Sequence, residues 1–206
     1  MRKSLIDEIN ELENKVFEMA NIINNMILIY NNYEEVLKLE DIVNRTEMDI
    51  ELFAIKILAL YQPEAIDLRR IITAIKVNND LERIADHIEN ISRDLHLVRG
   101  ETIVDLTSLI EKVMDAYKNS IDAYKNRNSK LAKETMKCDQ NIDIQRDNLI
   151  RQIVEHIMQY PKDTYIALKN LSIIQNLERI ADLSTNICED VIFLVEGKIY
   201  KHGREL

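Results

Sequence analysis

Tryptophan is absent from the chain, and its 206 residues include only three glycines, two prolines and two cysteines. So few breakers argue against a turn-rich β architecture, which places Gly, Pro and Asn at every reversal. Cys138 and Cys188 form no CxxC pair, which excludes a disulfide framework and a thiolate metal centre. Both read as small buried hydrophobes. The longest apolar runs, such as "MILIY" and "DVIFLV", fall far short of the ~18 residues that a membrane span needs. The opening "MRKSLIDEINELENK" carries acids from Asp7 onward and has no apolar h-region, so a soluble, cytoplasmic protein is expected.

Positive charge is short as well. A net charge of −9 argues against non-specific nucleic-acid binding, which rests on Lys and Arg neutralising phosphates. Arg69-Arg70 and the tail group Lys198, Lys201, His202 and Arg204 are the basic clusters. Neither has the interleaved aromatics of a single-strand binder. No glycine-rich phosphate loop and no Ser/Cys–His constellation stands out. The residues three before His87, His96, His156 and His202 are Ile84, Arg93, Ile153 and Ile199. The E-x-x-H signature of di-iron bundles is therefore missing, as is HExxH.

What remains is rich in Leu, Ile, Glu, Lys and Asn, with charge of both signs interspersed, which favours long helices. Leu5, Ile9, Leu12, Val16, Met19, Ile23, Met26 and Tyr30 recur in steps of four and three, the seam of a first helix. Ser4 is its expected N-cap, with Asp7 as partner. "YNNY" suggests a turn, and a second helix runs to about Tyr61, with Pro63 expected at the first position of a third. That third helix has a seam of Leu81, Ile84, Ile88, Ile91 and Leu95 and should end near Gly100. A fourth, on Leu106, Ile110, Val113, Tyr117 and Tyr124, stops at "NRNS", where Asn128 is placed to cap a fifth that reaches Tyr160. Pro161 opens a sixth, ended by Gly197; Gly203 follows in the tail.

The third and sixth helices carry almost the same words. Leu81–Ile91, "LERIADHIENI", and Leu177–Ile187, "LERIADLSTNI", agree at eight of eleven positions. The chain therefore reads as a tandem duplication of a three-helix unit, residues 1–100 and 101–206, forming an elongated all-α six-helix bundle.

Glu82 with Asp86, and Glu178 with Asp182, lie four apart and share a helix face, extended by Asn90 and Asn186. Like charges so spaced cost an isolated helix ~0.2–0.5 kcal/mol, which a surface can absorb. Arg83 can also reach Asp86, and Arg179 can reach Asp182. Spacing alone leaves a salt-bridged surface and a cation site both open. Two features favour the cation. Both copies keep these acids outside the apolar seam, although His87 against Leu183 and Glu89 against Thr185 have drifted. "CDQNID" also supplies Asp139 and Asp143, and "EDIVN" supplies Glu40, Asp41 and Asn44, from the preceding helix of each unit. Facing helices with such groups make an oxygen-rich cation site. His87 points about a hundred degrees away from Asp86 and is a weaker candidate ligand.

On "LERIADH" and "LERIAD", Asn90 and Asn186, "LALYQPEAIDLR" at Leu58–Arg69 and the closing "CEDVIFLVEGKIYKH", the chain resembles the PhoU family of phosphate-uptake regulators. The resemblance spans nearly the whole chain. It implies two tandem three-helix bundles with pseudo-twofold symmetry and acidic motifs that hold metal, with iron or zinc expected. Glu82, Asp86, Glu178 and Asp182 would be ligands, with Asp139 and Asp143 as partners in the second unit and Glu40 in the first. Asn44 and Leu183 depart from the family pattern, and the amide of Asn44 weakens the expectation at the first site. The resemblance also implies a non-catalytic, dimeric cytoplasmic adaptor, a negative regulator of phosphate uptake and of starvation signalling. Its partners would be the ATPase subunit of a phosphate ABC transporter and a phosphate sensor histidine kinase. A carboxylate-bridged metalloenzyme and a purely structural helical dimer are the alternatives. The enzyme would need an open coordination position and a base.

Overall fold

The computed structural model describes residues 2–198, 200, 201, 204 and 205. Seven α-helices lie among them: α1 (Arg2–Leu28), α2 (Tyr33–Tyr61), α3 (Ala65–Leu97), α4 (Thr107–Asn126), α5 (Ser129–Met136), α6 (Asp139–Gln159) and α7 (Thr164–Glu196). A 3-10 turn at Pro161–Asp163 leads into α7, and Tyr200–Lys201 pairs antiparallel with Arg204–Glu205. The fold is all-α, with α1–α3 as one bundle and α4–α7 as the second. His202 and Gly203, singled out in the sequence, lie outside the described residues.

The seams bury as their spacing requires. Ile9, Leu12, Val16, Met19, Ile23 and Met26 of α1 are fully enclosed, and Leu81, Ile84, Ile88, Ile91 and Leu95 of α3 join the same core. Several helix ends differ from expectation. Ser4 lies inside α1 rather than capping it, and its hydroxyl is 3.0 Å from that of Tyr61. Pro63 precedes α3 instead of opening it. Its ring disfavours helical geometry in the residue before it, and Gln62 there turns left-handed (φ 47°) and ends α2. Asn128 does cap its helix, accepting from the Leu131 amide at 3.0 Å. The expected fifth helix is two helices, because the chain tightens at Lys137 and Cys138, whose amides bond Glu134 and Thr135 three residues back. No glycine or proline marks that joint. It leaves Cys138 exposed, contrary to its reading as a core residue, whereas Cys188 is buried.

The two units meet along α3 and α7, each 33 residues long. They run antiparallel: Lys76 reaches Asp190 at 2.6 Å, His87 Nδ1 lies 2.8 Å from Asn176 Oδ1, and Lys169 reaches Asp94 at 2.8 Å. Asp94 and Asp190 are equivalent under the 96-residue repeat, so each unit offers the same acid to a lysine of its twin. Between these contacts Ala85, Ile88, Leu177, Ile180 and Ala181 are buried.

Elsewhere buried polar groups tie the outer helices down. Arg70 of α3 holds Glu13 of α1 with two hydrogen bonds, at 2.9 and 2.7 Å, and Asn10 at 2.6 Å. The Tyr117 hydroxyl of α4 donates to the Ala20 carbonyl of α1 at 2.8 Å, joining the units a second time. Asn170 of α7 is fully buried. Its Oδ1 accepts from Ile103 N at 2.7 Å and its Nδ2 donates to Glu101 O at 3.4 Å, so it fixes the linker between α3 and α4. Its counterpart in the first unit is Ala74, where there is no such linker to hold.

Two substitutions test these supports. Glu13→Ala leaves Arg70 buried without its carboxylate and should lower the unfolding free energy by about 3 kcal/mol, as breaking a buried pair does. Urea denaturation reads it. Asn170→Leu strands the Ile103 amide and should cost about 2 kcal/mol. Hydrogen exchange should then speed up at Ile103, while amides in α2 keep their protection.

Candidate functional site

Each unit brings its carboxylates together between its middle and last helices. In the first unit α2 lies on α3, pinned where Asn78 Nδ2 donates to the Glu47 carbonyl at 3.1 Å. Glu40 of α2 is half-buried and accepts from Asn44 Nδ2 at 2.5 Å. Burial raises its pKa most; Asn44 opposes this and the charge of Asp86 adds to it. Burial raises Glu82 too, helped by Asp86 and Glu47. The acids of α2 and α3 therefore act on one another across the helix contact. Glu47, itself raised by burial and by Glu51, belongs to this group, although sequence reasoning passed over it. Its signal was available: it sits three residues past Asn44, one more turn down the same face.

The second unit repeats the frame with different contents. Asp139 opens α6, Asp143 follows a turn later, and Glu178 and Asp182 come from α7. Burial raises Asp139, with Asp143, Asp182 and Glu178 adding to the effect. Asp182 is raised by burial and then by Glu178. Arg146, three residues past Asp143, lies among them. Its Nη1 is 2.9 Å from Asp143 Oδ1 and also bonds Glu178 Oε1, while Nη2 is 2.9 Å from Asp147 Oδ1. Aligning Glu40 with Asp139 and Asn44 with Asp143 puts Glu47 opposite Arg146. A cleft of about 450 Å³ opens beside Asp139 and Asp182, and Arg83, Arg179, Asn186 and Glu189 also line it.

Other sequence candidates go elsewhere. Arg83 pairs with Asp80 at 3.6 Å, not with Asp86. Asn90 donates to the Asp86 backbone carbonyl at 2.9 Å and accepts from Arg93, so its amide is committed along its own helix. His87 is bonded to Asn176 of α7. His156 lies 2.9 Å from Asp163, and the His96 ring lies against that of Tyr33.

A hard cation asks for about six oxygens at roughly 2.0–2.6 Å. Among the described residues, no three Asp, Glu, His or Cys side chains stand close enough to supply that set as they are. The two donor sets differ in what convergence would require. In the first unit Glu40, Glu47, Glu82 and Asp86 are oxygen donors without a bonded cationic side chain among the described residues. Asn44 Oδ1, buried beside Glu40, has no hydrogen-bond partner. On convergence, that set would offer oxygens to a metal with no guanidinium to displace. In the second unit the Arg146 guanidinium already bonds Asp143 and Glu178, and a metal drawing on all four acids would have to displace it from them. That set does not fit, which reverses the order that Asn44 suggests.

Comparison with known proteins agrees with the duplicated frame. The PhoU domain model matches the chain twice, over residues 9–95 and 106–191. The chain is 35% identical over 174 residues to the phosphate-specific transport system accessory protein PhoU homolog of Clostridium acetobutylicum, covering 82% of this chain and 79% of that one. To the homolog of the same name from Aquifex aeolicus it is 32% identical, covering 96% of each. The crystal structure of PhoU from Pseudomonas aeruginosa superposes with a TM-score of 0.88 at 26% identity, over 93% of this chain and 98% of that one. The PhoU crystal structure from Streptococcus pneumoniae shares the fold, with a TM-score of 0.86 at 23% identity over 96% and 99%. With both units matched and the helices superposed along nearly their whole length, this chain belongs to the PhoU family.

Proposed function

We propose that this chain is a non-catalytic, cytoplasmic regulator that restrains phosphate uptake when phosphate is plentiful and damps phosphate-starvation signalling. It acts as a homodimeric adaptor between the ATPase subunit of a phosphate ABC transporter and a phosphate sensor histidine kinase. The observation that carries this reading is the doubled PhoU domain, together with relatives named as accessory proteins of phosphate-specific transport. The architecture suits such a role. Long helices clamped to one another present broad, fixed, charged faces to partners. Among the described residues no helix is long and apolar enough to cross a membrane.

The cation belongs to this reading as a structural element. Glu40, Glu82 and Asp86, with Asn44 and Glu47, would hold iron or zinc in the first unit. The ion would supply positive charge that cancels the mutual repulsion of these acids and links α2 to α3. The chain's own contribution is to bring the acids to one face and to bury Glu40 and Glu82 partly. Water screens their repulsion poorly there, so a cation gains more.

Two measurements test the proposal. Removing the chain from its host should leave phosphate uptake and starvation-gene expression high in phosphate-replete medium, and restoring it should repress both. Unchanged repression without the chain would sink the regulatory reading. Elemental analysis of chelator-free protein should find iron or zinc, and Asp86→Asn should lose most of it while circular dichroism stays helical. A metal-free parent that takes up no added ion would remove the cation and leave the regulator standing.

A further inference from the structure

The two acidic groups are built on the same frame, and their sharpest difference across the helix contact is one of charge sign. Three residues past the second acidic-motif position, the first unit has Glu47 and the second has Arg146. In the first unit this adds a fourth carboxylate to a group with no bonded cationic side chain among the described residues. In the second it adds a planar cation with five N–H donors, suited to bridging carboxylates that approach from different directions.

We propose that Arg146 is the resident cation of the second unit, standing where the first unit takes a metal, so that the chain holds metal in one unit only. This rests on the metal reading of the first unit given above. Three carboxylates bond the guanidinium: Asp143 from the preceding turn, Asp147 beside it, and Glu178 across from α7. The contact with Glu178 ties α6 to α7, the same pair of elements that a metal would link. Arg146 is largely covered, with 21% of its side chain exposed. Asp139 and Asp182, which it does not bond, also feel its charge, which lowers both against their neighbours' repulsion. The arginine thus bonds two of the four acids that the sequence marks as ligands in this unit, Asp143 and Glu178, and only partly offsets the repulsion at Asp139 and Asp182, which stay raised overall.

The reading separates two kinds of linkage. A guanidinium is covalently part of the chain, so its occupancy does not vary with metal supply. A metal is held only at sufficient free concentration. The first unit is then responsive to metal and the second permanently set. Like charge opposes the two in one site: a cation bound by Asp143 and Glu178 would stand beside the guanidinium that already bonds one oxygen of each.

The test uses the full chain, with manganese(II), zinc(II) or iron(II) as probe, comparing the parent with Asp86→Asn, Asp182→Asn, Arg146→Gln and Arg146→Lys. Metal content is read by elemental analysis and linkage by thermal melting with and without added metal. The parent should lose its metal through Asp86→Asn and keep it through Asp182→Asn. Arg146→Gln should melt lower than the parent without metal and recover when metal is added. Its bound metal per chain should about double as the freed carboxylates become ligands. That recovery should vanish in Arg146→Gln combined with Asp182→Asn. Arg146→Lys keeps the charge and should gain no metal.

A parent that loses metal through Asp182→Asn would overturn the inference, because the second unit would then bind metal despite Arg146. An Arg146→Gln variant that is folded but gains neither metal nor metal-dependent stability would overturn it as well. The earlier reading fails separately. A parent without metal whose Arg146→Gln variant binds it would discard the first-unit site and leave the role of Arg146 intact.

Discussion

The antiparallel contact between α3 and α7 is the constraint on which the other contacts depend. Each helix is 33 residues long, so about 50 Å of rod lies side by side at 1.5 Å per residue. The apolar seams of both LERIAD segments are consumed in this contact and in the bundles beneath it. That fixes where the acids stand. With Leu81, Ile84, Ile88 and their counterparts turned inward, Glu82, Asp86, Glu178 and Asp182 are left on the flanks, where α2 and α6 come up against them. The sites are thus a by-product of core packing, placed by residues that never touch a ligand. Asp94 and Asp190, each meeting a lysine of the opposite unit, set the sliding register of the two rods.

The two flanks carry different electrostatic balances on that common frame. Repulsion among the acids is offset in one unit by a bonded guanidinium and in the other only by the neutral amide of Asn44, with no bonded cationic side chain among the described residues. Burial works in the same direction on both sides, raising Glu40 and Glu82 in one unit and Asp139 and Asp182 in the other. What most distinguishes the two is the sign of charge at one turn of the middle helix, Glu47 against Arg146, beside the change from Asn44 to Asp143. A duplication can preserve a backbone while its two copies diverge in what they attract.

Much of this architecture could be read from periodicity. Apolar residues in steps of three and four located the first, third and fourth helices, prolines, glycines and turn residues bounded the others, and the repeat of eleven residues exposed the duplication. Asn128 announced its cap because a side-chain oxygen followed by a helical run has few other uses. The break at Lys137 and Cys138 left no mark, since the local bonds that tighten there need no special residue. Cys138 was misjudged for the same reason: burial was inferred from residue type, and the joint turns it outward. The acidic clusters were half legible. Like-charge spacing along one helix identified Glu82 with Asp86 and Glu178 with Asp182. Glu47 lies one turn past Asn44 and is open to the same spacing argument, whereas the bond of Arg146 to Glu178 across the helix contact is a tertiary fact that needs α6 set against α7.

The placement of α7 at the end of the order of elements has a consequence for biosynthesis. The face of α3 that α7 covers is complete at Leu97, yet α7 ends at Glu196, 99 residues later. At roughly 5–20 residues per second of synthesis, that face waits about 5–20 s for its cover. During this interval Ala85, Ile88 and Ile91 stand on a half-built bundle with the linker loose, because Asn170 has not yet been made. The nascent first unit is therefore an exposed apolar ribbon of the kind that chaperones bind and that neighbouring chains on a polysome can invade. A second nascent α3 offers nearly the same LERIAD surface that α7 would, so the duplication that makes the finished protein symmetrical also makes mispairing between chains the characteristic hazard of its production.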